Sequence, residues 1–117
     1  EGVDVTRQLE NMVYLELRRR GWEVSYFRTR QGWEIDFVAV RKADRPPRRM
    51  ICQVAYTVKG REVRERELRG LPETARHLRA DQVTVVTLND EERADVDGIR
   101  VDVVPAWKWL IAGNGSK

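Results

Sequence analysis

The 117-residue sequence predicts an α/β fold, a mixed sheet with helices packed against it. Three observations carry that expectation. Residues 6–20 and 61–80 place apolar side chains at helical spacing. Residues 22–29 and 33–40 alternate apolar and polar side chains around a Gln31-Gly32 turn, as a hairpin does. Residues 50–58, 61–80 and 83–88 then read strand, helix, strand, the passage that joins parallel strands by a crossover. The predicted order is helix, three strands, helix, two strands, helix, arranged as a layered sandwich.

Each element has a local reason. In the first helix Leu9, Met12, Val13 and Leu17 form the apolar stripe, Thr6 is the expected N-cap, and Gly21 follows the basic end Arg18-Arg19-Arg20, where cations suit the helix dipole. That end reads first as solvated surface and second as a phosphate clamp. Trp22, Val24 and Tyr26 share one face of the first strand. In the second strand Trp33, Ile35, Phe37 and Ala39 are expected on one face and Glu34, Asp36, Val38 and Val40 on the other. The third strand, Met50–Val58, is apolar nearly throughout, which suggests burial on both faces. Gly60 ends it. Gly70 and Pro72 predict a break in the following helix near Leu71. Val83–Leu88 and Ile99–Val104 are the last two strands, with Asn89–Asp97 as an acidic loop between them. Pro105 is placed to open a final helix carrying Trp107, Trp109 and Leu110. Residues 1–112 read as one domain and 113–117 as a frayed tail.

Composition excludes several classes. With 41% hydrophobic and 35% charged residues the chain is not a disordered polymer. No apolar run approaches the ~18 residues of a membrane span, and EGVDVTRQLE is not a signal peptide. The single cysteine, Cys52, rules out an internal disulfide and reads as a core thiol. A cytoplasmic setting is expected. The chain opens at Glu1 with no initiator methionine, so a longer parent protein is expected too. The net charge of 22 − 19 = +3 is a feeble argument for nucleic acid. Placement says more. Arg41, Lys42, Arg45, Arg48 and Arg49 crowd one loop against Asp44 alone and are the candidate DNA contacts.

Three polar residues stand out of apolar surroundings. Asp36 lies between Ile35 and Phe37, Gln53 between Cys52 and Val54, and Glu10 at the edge of the first helix's apolar face. An unpaired carboxylate there is costly, so each needs a partner. If the three converge, their oxygens suit a divalent cation. The alternative is a structural pairing of Asp36 with Arg28. Glu34 is either a further ligand or simply exposed. His77 reads as a surface or packing histidine. The four tryptophans read as core or interface aromatics, and Trp107 and Trp109 are candidates for an interdomain surface.

These residues also carry a resemblance. The segments Leu9–Gly21 (LENMVYLELRRRG), Tyr26–Thr29 (YFRT), Gly32–Val38 (GWEIDFV), Gln53-Val54, Glu65–Leu68 (EREL) and Val104–Leu110 (VPAWKWL) resemble the C-terminal domain of prokaryotic AAA-type ATPases. That domain is similar to the PD-(D/E)xK nucleases, the restriction-endonuclease-like superfamily. The resemblance implies a three-layer sandwich, an N-terminal ATPase module not contained in these residues, and DNA as partner. It also implies Mg²⁺ or Mn²⁺ held by a helix acid, a strand aspartate and a (D/E) residue on the next strand, with a lysine two positions later. Glu10, Asp36 and Gln53 match the three ligand positions and Ala55 falls where the lysine belongs. Arg28, Lys42 and Lys59 are candidate substitutes for it. Loss of one group that stabilises transition-state charge costs about 10²–10³-fold in rate. The expectation is therefore a DNA-binding domain with cleavage reduced or lost. The alternatives are a protein-interaction domain on the same scaffold and an active nuclease with a relocated cation.

Overall fold

The structure, a computed structural model, describes residues 2–28 and 34–115, with side chains for 4–27 and 35–112. The elements run α1 (Gly2–Arg19), β1 (Glu23–Arg28), β2 (Glu34–Arg41), β3 (Arg48–Val54), α2 (Arg61–Leu68), α3 (Leu71–Leu78), β4 (Gln82–Thr87), β5 (Glu92–Val96), β6 (Ile99–Pro105) and α4 (Ala106–Gly115). The strands form one six-stranded sheet in the order β1-β2-β3-β4-β6-β5. β1, β2 and β3 pair antiparallel, β3, β4 and β6 pair parallel, and β5 returns antiparallel along β6. The sheet is mixed, as expected. No helix is long and apolar enough to cross a membrane among the described residues.

Two apolar layers flank the sheet. On one face Leu9, Val13 and Leu17 of α1 and Trp109 of α4 pack on Trp22, Phe37, Ala39, Met50, Cys52, Val54 and Val86. On the other, Leu68 of α2 and Leu71 and Ala75 of α3 pack on Ile35, Ile51, Ala55, Val83, Val85, Val101 and Val103. The result is helices, sheet, helices. α1 and α4 are tied directly by Arg20. Its guanidinium lies 4.1 Å from the Trp109 ring centroid and donates to the Trp109 carbonyl at 2.8 Å and to Glu16 at 2.8 Å.

Three expectations need correction. α1 starts at Gly2, not after Thr6, because Val5 joins the buried stripe one turn earlier and Thr6 is an interior residue. α1 ends as predicted. Gly21, at φ 91°, donates to the Arg18 carbonyl and Trp22 to that of Leu17, while Trp22 and Leu17 share the core, so left-handed Gly21 closes the helix. β3 stops at Val54 instead of Val58: the Ala55 amide still donates to Val86, but the Val58 amide donates to the Asp90 side chain in place of a strand. The predicted helix over 61–80 is two helices, parted at Arg69-Gly70 where Gly70 and Pro72 forecast a break. The acidic loop Asn89–Asp97 contains the unforeseen strand β5. Asp97 and Gly98, at φ 51° and 83°, make the two-residue turn that joins it to β6. The predicted Gln31-Gly32 turn and Trp33 lie outside the described residues.

The second strand departs from its expected pattern in the most consequential way. Ser25 pairs with Val38 and Phe27 with Ile35, so Tyr26 alone faces two residues of β2, Asp36 and Phe37. That is a β-bulge, one extra residue that breaks the alternation of side chains. Ile35 therefore belongs to the α2/α3 layer although Phe37 and Ala39 belong to the α1/α4 layer. The expected common face for Ile35, Phe37 and Ala39 does not exist.

The carboxyl ends of β3 and β4 are joined by Asp90, 8% exposed. Its Oδ2 accepts from the Thr57 hydroxyl at 2.6 Å and the Val58 amide at 2.8 Å, and Lys59 lies 3.7 Å from Oδ1. Burial alone would raise the Asp90 carboxyl, but Thr57, Val58 and Lys59 outweigh it and hold it below its ordinary value. Glu16 is held at about 2 by its hydrogen bond from Arg19, against the opposing effect of burial and with help from Arg20.

Three outcomes follow from these contacts. Asp90→Ala is expected to cost about 2–4 kcal/mol in urea unfolding, because two hydrogen bonds to a buried charge are lost. Both lowered carboxyls stabilise the fold above their unfolded values, and that share is lost as pH falls through their folded ones. For Glu16 the window runs from 4.5 down to about 2, so Glu16→Gln should flatten the acid limb of a stability-versus-pH curve there. Arg79 closes α3 in the left-handed region at φ 54°, where a side chain is strained. Arg79→Gly should raise stability by about 0.5–1 kcal/mol in the same assay.

Candidate functional site

The site lies where β2 and β3 part. Regular pairing runs from Arg41↔Arg48 to Phe37↔Cys52 and goes no further. Beyond that point side chains replace the ladder. The Asp36 amide donates to Gln53 Oε1 at 3.1 Å, and Asp36 Oδ2 accepts from the Val54 amide at 2.8 Å. This reciprocal pair holds Asp36 at the carboxyl ends of parallel β3 and β4, where ligands of such sheets bind.

The bulge decides which way Asp36 faces. In an unbroken strand with Phe37 and Ala39 toward α1, Asp36 would turn with Val38 toward α2 and α3. Instead Asp36 and Phe37 both line an open pocket of about 810 Å³ whose other wall is Glu10, Asn11 and Tyr14 of α1 and Tyr26 of β1. Burial first, and then the nearby Asp36 charge, push the Cys52 thiol up to about 12, so it is an inert core thiol.

Of the three predicted ligands, Glu10 and Asp36 come together on this pocket. Gln53 touches Asp36 but does not line the pocket, is 8% exposed, and spends its oxygen on the Asp36 amide. Among the described residues no three of His, Cys, Asp and Glu are grouped to hold a metal ion. Two of the three predicted ligands thus face one pocket, and the third is hydrogen-bonded to one of them. Ala55 lines a second pocket of about 530 Å³, which shares the Glu10 wall and includes Arg7 and Arg66. Of the candidate substitute cations, Lys42 pairs with Glu23 at 3.3 Å and Lys59 with Asp90, and neither lines the Asp36 pocket. The side chains of Arg28 and Glu34 lie outside the described residues, so the Arg28–Asp36 pairing does too.

The predicted DNA contacts sit at the other end of the sheet. From Asp36 to Arg41 is five residues of β2, about 17 Å at strand rise. There Arg41 and Arg48 stand 6.0 and 5.7 Å from the buried Trp22 ring and share Asp44 at 3.6 and 3.9 Å. Arg49 reaches the Leu78 carbonyl at 3.5 Å, and Arg45 is exposed. The Arg18–Arg20 end is mostly committed. Arg19 and Arg20 hold Glu16, while Arg18 is exposed. His77 lies near Phe27, with centroids 6.3 Å apart, as a packing histidine.

Sequence reasoning missed Asn11, Tyr14 and Tyr26. Glu10, Asn11 and Tyr14 stand at i, i+1 and i+4, one helix face, and that spacing was the available signal. Nothing in the sequence marks Tyr26, because its place depends on the bulge opposite.

An uncharacterised protein of Methanocaldococcus jannaschii, MJ1544, is 34% identical over 114 residues, which cover 90% of this chain and 24% of that protein. The chain thus spans about a quarter of this relative's length. No solved structure matches. The model of a domain of unknown function, DUF4143, matches residues 6–109, and the chain belongs to that family.

Proposed function

We propose that this chain is a nuclease-fold domain of the restriction-endonuclease-like kind, part of a longer prokaryotic AAA-type ATPase in the cytoplasm, and that it binds DNA with cleavage reduced or lost. One observation carries the reading. Glu10 and Asp36, the acids that resemblance marks, face one pocket at the carboxyl ends of parallel strands, while Ala55 stands at the lysine position and Gln53 is bound into the sheet. The shared pocket of the two acids supports a nuclease-derived site. Gln53 Oε1 is engaged by the Asp36 amide, and among the described residues no lysine or arginine lines the pocket.

DNA would be held by Arg41, Lys42, Arg45, Arg48 and Arg49. The Lys42–Glu23 pair is exposed and worth at most about 1 kcal/mol, and Arg41 and Arg48 share a half-buried Asp44 at 3.6 and 3.9 Å, beyond ideal contact, so phosphates can compete for all three. The 17 Å between this loop and Asp36 equals about five base pairs of rise. A DNA that touches both must run along β2.

A second reading, a protein-interaction domain, is favoured by Trp107 and Ile111. They are 58% and 63% exposed and one turn apart on α4. Its occupant would be the ATPase module of the parent protein.

Titration with duplex DNA at several salt concentrations tests the main reading. Binding is expected to fall steeply with salt. The double variant Lys42→Ala, Arg45→Ala should lower the slope of log affinity against log salt by about 2. Flat, salt-independent titrations sink it. Incubation with DNA and Mg²⁺ or Mn²⁺ should give no more nicking than Asp36→Ala does. Nicking present in the natural chain and absent from Asp36→Ala would establish the active nuclease instead.

A further inference from the structure

We propose that the pocket between Glu10 and Asp36 takes an unpaired nucleobase bearing an exocyclic amine, so that the domain prefers single-stranded DNA to duplex. The proposal rests on the DNA-binding reading above and names its substrate class.

The aromatic wall supplies the first argument. Phe37, buried in the core, is flanked by Tyr14 at 6.1 Å and Tyr26 at 5.7 Å between ring centroids, with planes tilted 40° and 39°. Tyr26 is 77% exposed and Tyr14 36%, so two aromatic rings supported by a third border the opening. An aromatic side chain offers a stacking surface to any base, and such stacking is worth most to bases not already stacked in a duplex. The bulge is what sets Tyr26 opposite Phe37 and so builds this wall.

The polar wall supplies the second. Glu10, Asn11 and Asp36 share the pocket with these rings, and no lysine or arginine lines it among the described residues. The described wall, with two carboxylates, disfavours a phosphate. It does not disfavour a base edge, provided that the edge donates. Carboxylates accept from the amine of cytosine, and an asparagine amide can pair with adenine, whereas thymine offers carbonyl oxygens in place of that amine. In a duplex the amine is already paired.

The third argument is where the phosphate goes. The neighbouring pocket, across the Glu10 wall, carries Arg7 and Arg66 beside Glu10 and Glu67, and Arg66 pairs with Glu67 at 3.5 Å, so Arg7 is the cation left for a phosphate there. Arg7 is exposed and makes no ion pair among the described residues. Arg7, Glu10 and Tyr14 fall at i, i+3 and i+7 on α1, one stripe about 10 Å long, the rise of about three stacked nucleotides. A single strand laid along this stripe sets a base on the tyrosines and a backbone phosphate by Arg7.

The test is a set of low-salt titrations of the whole chain with labelled oligo(dC), oligo(dT) and a duplex of equal length. Oligo(dC) is expected to bind at least about 5-fold more tightly than oligo(dT) and more tightly than duplex. Tyr26→Ala should weaken oligo(dC) by about 5- to 150-fold and Tyr26→Phe should restore it, since stacking needs the ring and not the hydroxyl. Tyr26 is exposed, so unchanged thermal unfolding will confirm that the variants are folded. Glu10→Gln should narrow the preference for oligo(dC) over oligo(dT). Equal binding of duplex and single strands, equal binding of oligo(dC) and oligo(dT), or no effect of Tyr26→Ala overturns the inference and leaves DNA binding standing. No salt-sensitive binding to any of the three DNAs overturns both. Tyrosine quenching by an arginine-rich peptide, with none by oligo(dC), overturns it in favour of a cationic protein segment.

Discussion

One extra residue in β2 governs the functional half of this molecule. The two-against-one pairing of Asp36 and Phe37 with Tyr26 changes the side of the sheet on which a carboxylate emerges. A strand has no gradual way to do this. Its side chains alternate, and only an inserted residue shifts the phase. The β2–β3 ladder gives way at the same level, and the Asp36–Gln53 exchange fills the gap so that the amides there are not left unpaired. Pocket, acid pair and aromatic wall all depend on that local irregularity. The rest of the sheet is regular, which is what holds the irregular part in place.

The molecule is polar along its strands. At one end are the C-termini of α1 and α3 and the β2–β3 loop, with Arg41 and Arg48 beside Trp22 and Arg49 on the Leu78 carbonyl. At the other are Asp36, Glu10 and the Asp90 clamp. Parallel β3 and β4 give these ends different characters, because the crossover loops that leave their carboxyl ends converge and are pinned together by a single buried aspartate. Asp90 thus shapes the second pocket without lining it. It fixes the Thr57–Lys59 segment, and Thr57 is part of that pocket's wall.

Much of this was legible in the sequence. The helical stripe of α1, the break at Gly70 and Pro72, the apolar third strand and the mixed sheet follow from periodicity and from two residues that helices reject. β5 was not read, because Glu92–Val96 is mostly charged and looks like loop. The Asp97-Gly98 pair, a strong hairpin signal, was the clue to it. The bulge left no mark. A run such as Ile35-Asp36-Phe37-Val38-Ala39 alternates acceptably as a plain strand, and only the pairing partner reveals the extra residue. For the same reason Glu10 and Asp36 were recognised as unusual from their apolar surroundings, yet Tyr26 was taken for an ordinary strand residue. Gln53 was singled out correctly as a polar residue in a core strand. Its oxygen accepts from the Asp36 backbone amide.

The charged strand that closes the sheet has a further consequence. β5 is an edge, and an edge carries unpaired amides and carbonyls that another sheet can join. Its sequence Glu-Arg-Ala-Asp-Val sets charges along that border, and Arg64 of α2 holds Glu92 in two hydrogen bonds. A neighbouring strand that docked here would have to displace these charges or bury them. This border is therefore self-limiting, and sheet-to-sheet joining through β5 is disfavoured.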